Sequence, residues 1–118
     1  MELNEYQKRA MTTCTESSNN FAYMFMNLVG EVGEFASKCA KFIRKEKAKF
    51  RDNNQLCPIH VDEQEREDLR KELGDCLWQL SGLCSVMGWT LEEVAEENLA
   101  KLADRQKRHV IVGEGDRR

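Results

Sequence analysis

A single proline, Pro58, stands among 118 residues, and that scarcity constrains the fold more than any other feature. Proline and clusters of glycine, asparagine or aspartate interrupt helices, by removing an N–H or by favouring turn geometry. Few such clusters occur here, so long helices are predicted. The first runs from about Leu3 to Cys14. Ser17-Ser18-Asn19-Asn20 reads as a break and N-cap, because these side chains can satisfy the first free N–H groups of the next helix. That second helix is expected from about Phe21 to Ala48, with Phe21, Met24, Phe25, Leu28, Val32, Phe35, Cys39 and Phe42 spaced by three or four. Asp52-Asn53-Asn54 and Pro58 mark a loop. Asp62-Glu63-Gln64-Glu65 is a capping-box signature opening a third helix, which carries Leu69, Leu73, Leu77, Leu80 and Met87 until Gly88 stops it. Thr90-Leu91-Glu92-Glu93 is a second such signature, for a fourth helix to about Arg108. His109 to Arg118 reads as a charged, glycine-rich tail, strand-like or flexible. The expectation is one domain over 1–118, all-α, an antiparallel four-helix bundle.

Charge and cysteine usage narrow the function classes. A net charge of -3 argues against a nucleic-acid binder, which usually carries a basic face. The apolar stretches are short and broken by charge, so neither a membrane span nor a membrane partner is expected. Met1-Glu2-Leu3-Asn4-Glu5 lacks the apolar core of a signal peptide. Cys14, Cys39, Cys57, Cys76 and Cys84 form an odd set without a C-x-x-C pair, which fits neither a disulfide framework nor a zinc site. Reduced thiols and a cytoplasmic setting are the expectation. The second helix is apolar over more than one face, and so small a bundle can hardly cover it; it is expected in the interface of an oligomer.

Chemistry is carried by four acids. Glu31 and Glu34, and Glu72 and Asp75, are i,i+3 pairs and therefore neighbours on a helix face. Similar pairs recur in this chain, at Glu2/Glu5 and Glu93/Glu96 for example, but in polar surroundings. The chosen two interrupt apolar runs. Their centres are symmetric about the Asp52-Asn53-Asn54 turn, so folding the second and third helices back on each other levels all four carboxylates. Two unit charges ~4 Å apart repel by about 4 kcal/mol at an effective dielectric of 20. Such a quartet needs a cation, and hard oxygen donors without His or Cys favour Mg²⁺, with Mn²⁺ as a substitute. A ferritin-like di-iron site would want Glu-x-x-His, whereas Cys57 and Gln106 precede His60 and His109 at that spacing. Asn27, Glu31, Glu34, Lys38 and Lys41 step by 4, 3, 4 and 3 along one helix; Asn98, Lys101, Arg105 and Arg108 step by 3, 4 and 3 along another. Cations beside a metal site suit a polyphosphate ester, whose leaving group they would hold.

Gly30-Glu31-Val32-Gly33-Glu34-Phe35 and Lys71-Glu72-Leu73-Gly74-Asp75-Cys76-Leu77-Trp78 resemble the E-x-x-E … E-x-x-D signature of MazG-like nucleotide pyrophosphohydrolases. Thr90 to Ala95 and Asn98-Leu99-Ala100-Lys101-Leu102 are similar to that family's next helix. The resemblance covers roughly Phe21 to Arg105. It implies an all-α fold and hydrolysis of a nucleoside triphosphate between the α and β phosphates, giving monophosphate and pyrophosphate. It also implies Mg²⁺ on Glu31, Glu34, Glu72 and Asp75, with Glu34 or Glu31 holding or deprotonating the attacking water. Lys38, Lys41, Asn98 and Lys101 match positions near phosphates and sugar, and members assemble as homodimers or homotetramers. The aromatic residue that often follows the Asp by four positions is replaced here by Gln79, with Trp78 beside it. The alternative reading is a non-catalytic helical module that binds nucleotide or a partner chain.

Overall fold

The computed structural model describes residues 1–47, 49–50, 56–57, 62–115 and 117. Four α-helices dominate them: α1 (Leu3–Met11), α2 (Phe21–Arg44), α3 (Glu63–Val86) and α4 (Leu91–Lys107). A 3-10 turn, Glu16–Ser18, joins α1 to α2. Between α2 and α3, Lys49–Phe50 (β1) pairs antiparallel with Leu56–Cys57 (β2). The Asp52-Asn53-Asn54 turn, Pro58 and His60 lie outside the described residues.

Helix starts obey their local chemistry. Asn20 Oδ1 accepts from the Tyr23 amide at 2.9 Å and opens α2. The expected capping boxes are present at Asp62/Glu65 and Thr90/Glu93. The ends differ from expectation at two places. α1 stops at Met11 rather than Cys14, and α2 at Arg44 rather than Ala48. At the latter, Glu46 turns left-handed (φ 59°) and Lys47 N bonds back to Phe42 O at 2.8 Å, a Schellman closure without glycine. α3 ends the same way on Gly88 (φ 77°) and α4 on His109 (φ 59°). The described part of the tail consists of turns, tied to α4 by Arg105 Nη2 donating to Gly115 O at 3.5 Å.

α2 and α3 make the principal packing. Lys47 meets Glu65, Lys38 meets Glu72, Asn27 meets Gln79 and Met24 meets Gly82, so positions fall along α2 as they rise along α3. This is the antiparallel register anticipated from the sequence. Met24 is fully buried, and a methyl group at Gly82 would overlap its thioether, so glycine is what lets the two helices close there. α1 lies across α3 and the start of α4 and is held by polar contacts. The buried Gln7 side chain donates to Ser85 Oγ and Trp89 O, both at 3.0 Å, and accepts from Leu91 N at 2.8 Å. Trp78 Nε1 donates to Ala10 O (3.1 Å) and Thr13 Oγ1 (2.8 Å), so this tryptophan braces α1 on α3.

The chain is loosely closed. Its radius of gyration is 17.5 Å, against roughly 13.5 Å for a compact chain of this length. Among the described residues, Met24, Cys84 and Leu91 are the buried apolar side chains, while Phe21, Phe25, Met26, Val29 and Val32 of α2 are exposed. No helix among the described residues is long and apolar enough to cross a membrane. Cys14, Cys39, Cys76 and Cys84 are free thiols, and burial raises the pKa of the last three.

Candidate metal centre

Antiparallel packing of α2 on α3 faces Glu31 with the Glu72–Asp75 turn of the opposite helix. One carboxylate oxygen from each of Glu31, Glu72 and Asp75 lies within 4.8 Å of the others. At that separation each pair of unit charges repels by about 3–4 kcal/mol at an effective dielectric of 20. Glu72 is buried, Glu31 half-buried and Asp75 exposed, so the cluster opens to solvent along the Asp75 side. Gly33 and Gly74 flank it, and a Cβ at either would meet nothing within 4 Å among the described residues. These glycines therefore leave open ground beside the acids rather than permitting the helices to pack.

Two observations of this site fit a hard divalent cation. Glu31 Oε2 and Glu72 Oε2 are buried with no hydrogen-bond partner among the described residues, an arrangement that costs about 1–3 kcal/mol or more per buried polar atom unless something satisfies it. All the donors are carboxylates, the set that Mg²⁺ and Mn²⁺ prefer. The protein offers partial compensation through Lys38, whose Nζ sits 2.8 Å from Glu72 Oε1. That hydrogen bond holds the ammonium above its ordinary pKa.

Burial, then the charges of Glu34, Asp75 and Glu72, push the Glu31 carboxyl above its ordinary value; an Asn27 hydrogen bond opposes them. A carboxyl whose folded pKa lies above its unfolded one favours folding below the unfolded value, and that contribution is lost as pH rises through the folded value. Without metal, Glu31 therefore subtracts stability as pH climbs out of the ordinary carboxylate range. A bound cation holds the ionised form and cancels the loss. The melting temperature gained on adding saturating Mg²⁺ should thus grow as pH rises above the ordinary carboxylate range, measured by thermal unfolding with Mg²⁺ or EDTA. A gain that shrinks with pH contradicts this account.

Glu34 does not join the trio. It is exposed, one turn along α2, yet close enough for its charge to act on Glu31 and Lys38. Lys41 is exposed further along the same helix. Asn98 and Lys101 are exposed on α4, a helix that packs on α3 and α1 and contributes nothing to the carboxylate cluster. Arg105 is buried against the tail, and Arg108 pairs with Asp104 at 2.8 Å. Asn27, expected on the same helix face as Glu31 and Glu34, reaches the site, and so do two residues outside that pattern, Tyr6 and Gln79. Tyr6 of α1 lies near enough for burial, then the Asp75 charge, to raise its hydroxyl pKa. Asn27 and Gln79 bond to each other at 2.8 Å, and Asn27 also reaches Glu31 Oε1 at 3.3 Å. Tyr6 sits in a polar helix with no motif to mark it. Gln79 stood out in the sequence only as a missing aromatic.

The chain is 36% identical over 103 residues to the Gene 37 protein of Mycobacterium phage L5, spanning 87% of this chain and 81% of that one. No solved structure matches it significantly. Residues 20–110 match the MazG nucleotide pyrophosphohydrolase domain, a stretch that contains both acidic pairs and all of α2, α3 and α4. The chain belongs to that family of pyrophosphohydrolases.

Proposed function

We propose that the protein hydrolyses nucleoside triphosphates between the α and β phosphates, releasing nucleoside monophosphate and pyrophosphate. The observation that carries this reading is the convergence of Glu31, Glu72 and Asp75 within 4.8 Å, in a chain that belongs to the MazG nucleotide pyrophosphohydrolase family. Glu31, Glu72 and Asp75, with Glu34 at their margin, would hold Mg²⁺ or Mn²⁺. A bound divalent ion would neutralise phosphate oxygens and lower the pKa of water there. Glu34 or Glu31 takes the proton as the water oxygen bonds to the α phosphorus, and the α–β bridging bond breaks with its electrons leaving on pyrophosphate. Lys38, which pairs with Glu72 at 2.8 Å, would turn to the leaving phosphates where a cation compensated that acid. Lys41, Asn98 and Lys101 are exposed and would approach phosphates and sugar from the rim. The buried Arg105 holds the end of α4 and acts on substrate only through that helix.

Assembly is part of the same proposal. A homodimer or homotetramer built on the exposed apolar face of α2 would cover Phe25, Val29 and Val32 and close the loose protomer.

The deciding experiment is incubation of the pure protein with each NTP and dNTP in Mg²⁺, with product analysis. Monophosphate and pyrophosphate in equal amounts support the proposal, and the activity should vanish in Glu34→Gln. Stepwise release of inorganic phosphate contradicts it. Nucleotide binding without turnover favours the non-catalytic module.

A further inference from the structure

Gln79 has the side-chain chemistry of a surface residue and is 2% exposed. It lies on α3 against α2, where an apolar residue would pack without needing partners. A buried amide costs free energy unless its donors and acceptor are all used, and the partners found here have a direction. The Gln79 Nε2 donates to Met24 O at 3.4 Å, with Met24 Sδ at 3.6 Å. A backbone carbonyl can only accept, so the amide nitrogen must face it and Oε1 must face the other way. Oε1 is met there by Asn27 Nδ2 at 2.8 Å. Asn27 is thereby fixed with its NH₂ group inward, and the same nitrogen reaches Glu31 Oε1 at 3.3 Å, with Tyr23 Oη at 3.4 Å. A flipped Asn27 would set its carbonyl against both Gln79 Oε1 and a carboxylate.

We infer that Gln79 and Asn27 form a polarity relay, running from the Met24 carbonyl to Glu31 Oε1, that leaves Glu31 Oε2 to face a metal ion. Oε2 is the atom buried without a partner, so one oxygen of this carboxylate is held and the other is left for ligation. Gln79 is a positioning residue: it touches neither substrate nor cation and acts only through Asn27. The inference rests on the proposed metal site, and goes beyond it by assigning an orienting role to two amides that carry no acidic motif.

The test is Mn²⁺ binding to the full chain without nucleotide, by titration calorimetry and by electron paramagnetic resonance of the free ion. It uses Gln79→Met, Asn27→Leu and the double variant, with thermal unfolding in EDTA as the control for folding. Each single change should weaken Mn²⁺ binding by about tenfold or more, the usual effect of losing an outer partner of a ligand. The double variant should bind no more weakly than Asn27→Leu, because Gln79 has no route to Glu31 once Asn27 is gone. A merely structural role for Gln79 predicts multiplied losses instead, and that result overturns the relay, as does unchanged affinity in either single variant. Should Gln79→Met fail to fold, Asn27→Leu decides alone, since its site is half-buried and its affinity must still fall. Wild-type protein that binds no Mn²⁺ sinks the metal site itself and the relay with it; wild-type binding with indifferent variants sinks the relay only.

Discussion

Asp75→Asn will bind Mn²⁺ at least about a hundredfold more weakly than the wild-type protein, beyond the 10–100-fold that outer partners alone cost, while its metal-free melting temperature holds or rises. The two halves of this result have opposite signs for one reason. Asp75 supplies one of three carboxylate oxygens gathered within 4.8 Å, and its charge falls on Glu31, Tyr6 and Cys76. With a cation present that charge is attractive; without one it is repulsion stored in the fold. Asp75 is exposed, so an amide there leaves packing intact. Glu72→Gln separates the same two effects differently. It should lose comparable affinity, yet its metal-free form should be less stable, because Lys38 loses its partner at 2.8 Å. Calorimetric Mn²⁺ titration and thermal unfolding in EDTA measure both quantities. Hydrolysis should fall with affinity in either variant. Unchanged Mn²⁺ affinity in Asp75→Asn would remove the metal centre; a clear drop in its metal-free melting temperature would mean that the acid stabilises the fold instead of straining it.

Much of this architecture could be read from residue order because its signals are local. A cap needs only its own side chain and an amide three residues away, so Asn20, Asp62 and Thr90 announced three helix starts. Gly88 announced an end for the same kind of reason: it alone of the three left-handed closing residues lacks a Cβ. Glu46 and His109 close α2 and α4 in that conformation despite the steric cost, which is why the end of α2 was misplaced. The acids were legible through contrast with apolar neighbours, and antiparallel packing then brought Glu31 to Glu72 and Asp75. Contrast has a limit. Glu34 shares the motif with Glu31 but lies exposed beside the trio, since i and i+3 differ by about 60° around a helix. Arg105 shares the spacing of Lys101 and is buried against the tail. Asn27 was legible too, four residues before Glu31 on the same helix face; Gln79 and Tyr6 depend on which helix faces which, and no single segment encodes that.

The remaining apolar surface leads to the second large effect: Val29→Asp should convert an assembled protein into monomer and sharply lower its melting temperature. Phe21, Phe25, Val29 and Val32 follow one another along α2 at spacings of three or four, and all four are exposed. Val29 is 62% exposed, and Phe21 and Phe25 stack on each other with ring centres 5.9 Å apart. Fully burying one such side chain is worth about 1.5–3 kcal/mol. With so few buried apolar groups among its described residues, the chain would gain much of its stability in the proposed assembly by covering this stripe with a second copy. Placing an unpaired carboxylate at its centre costs about 3–5 kcal/mol, equivalent to roughly a hundredfold or more in self-association. The control is Val112→Asp, at a position 96% exposed in the tail, which should change neither mass nor melting temperature. Sedimentation equilibrium and light scattering at micromolar protein give the masses. A wild-type chain that is monomeric at those concentrations, or a Val29→Asp protein that keeps its mass, would show that the α2 stripe is not what holds copies together.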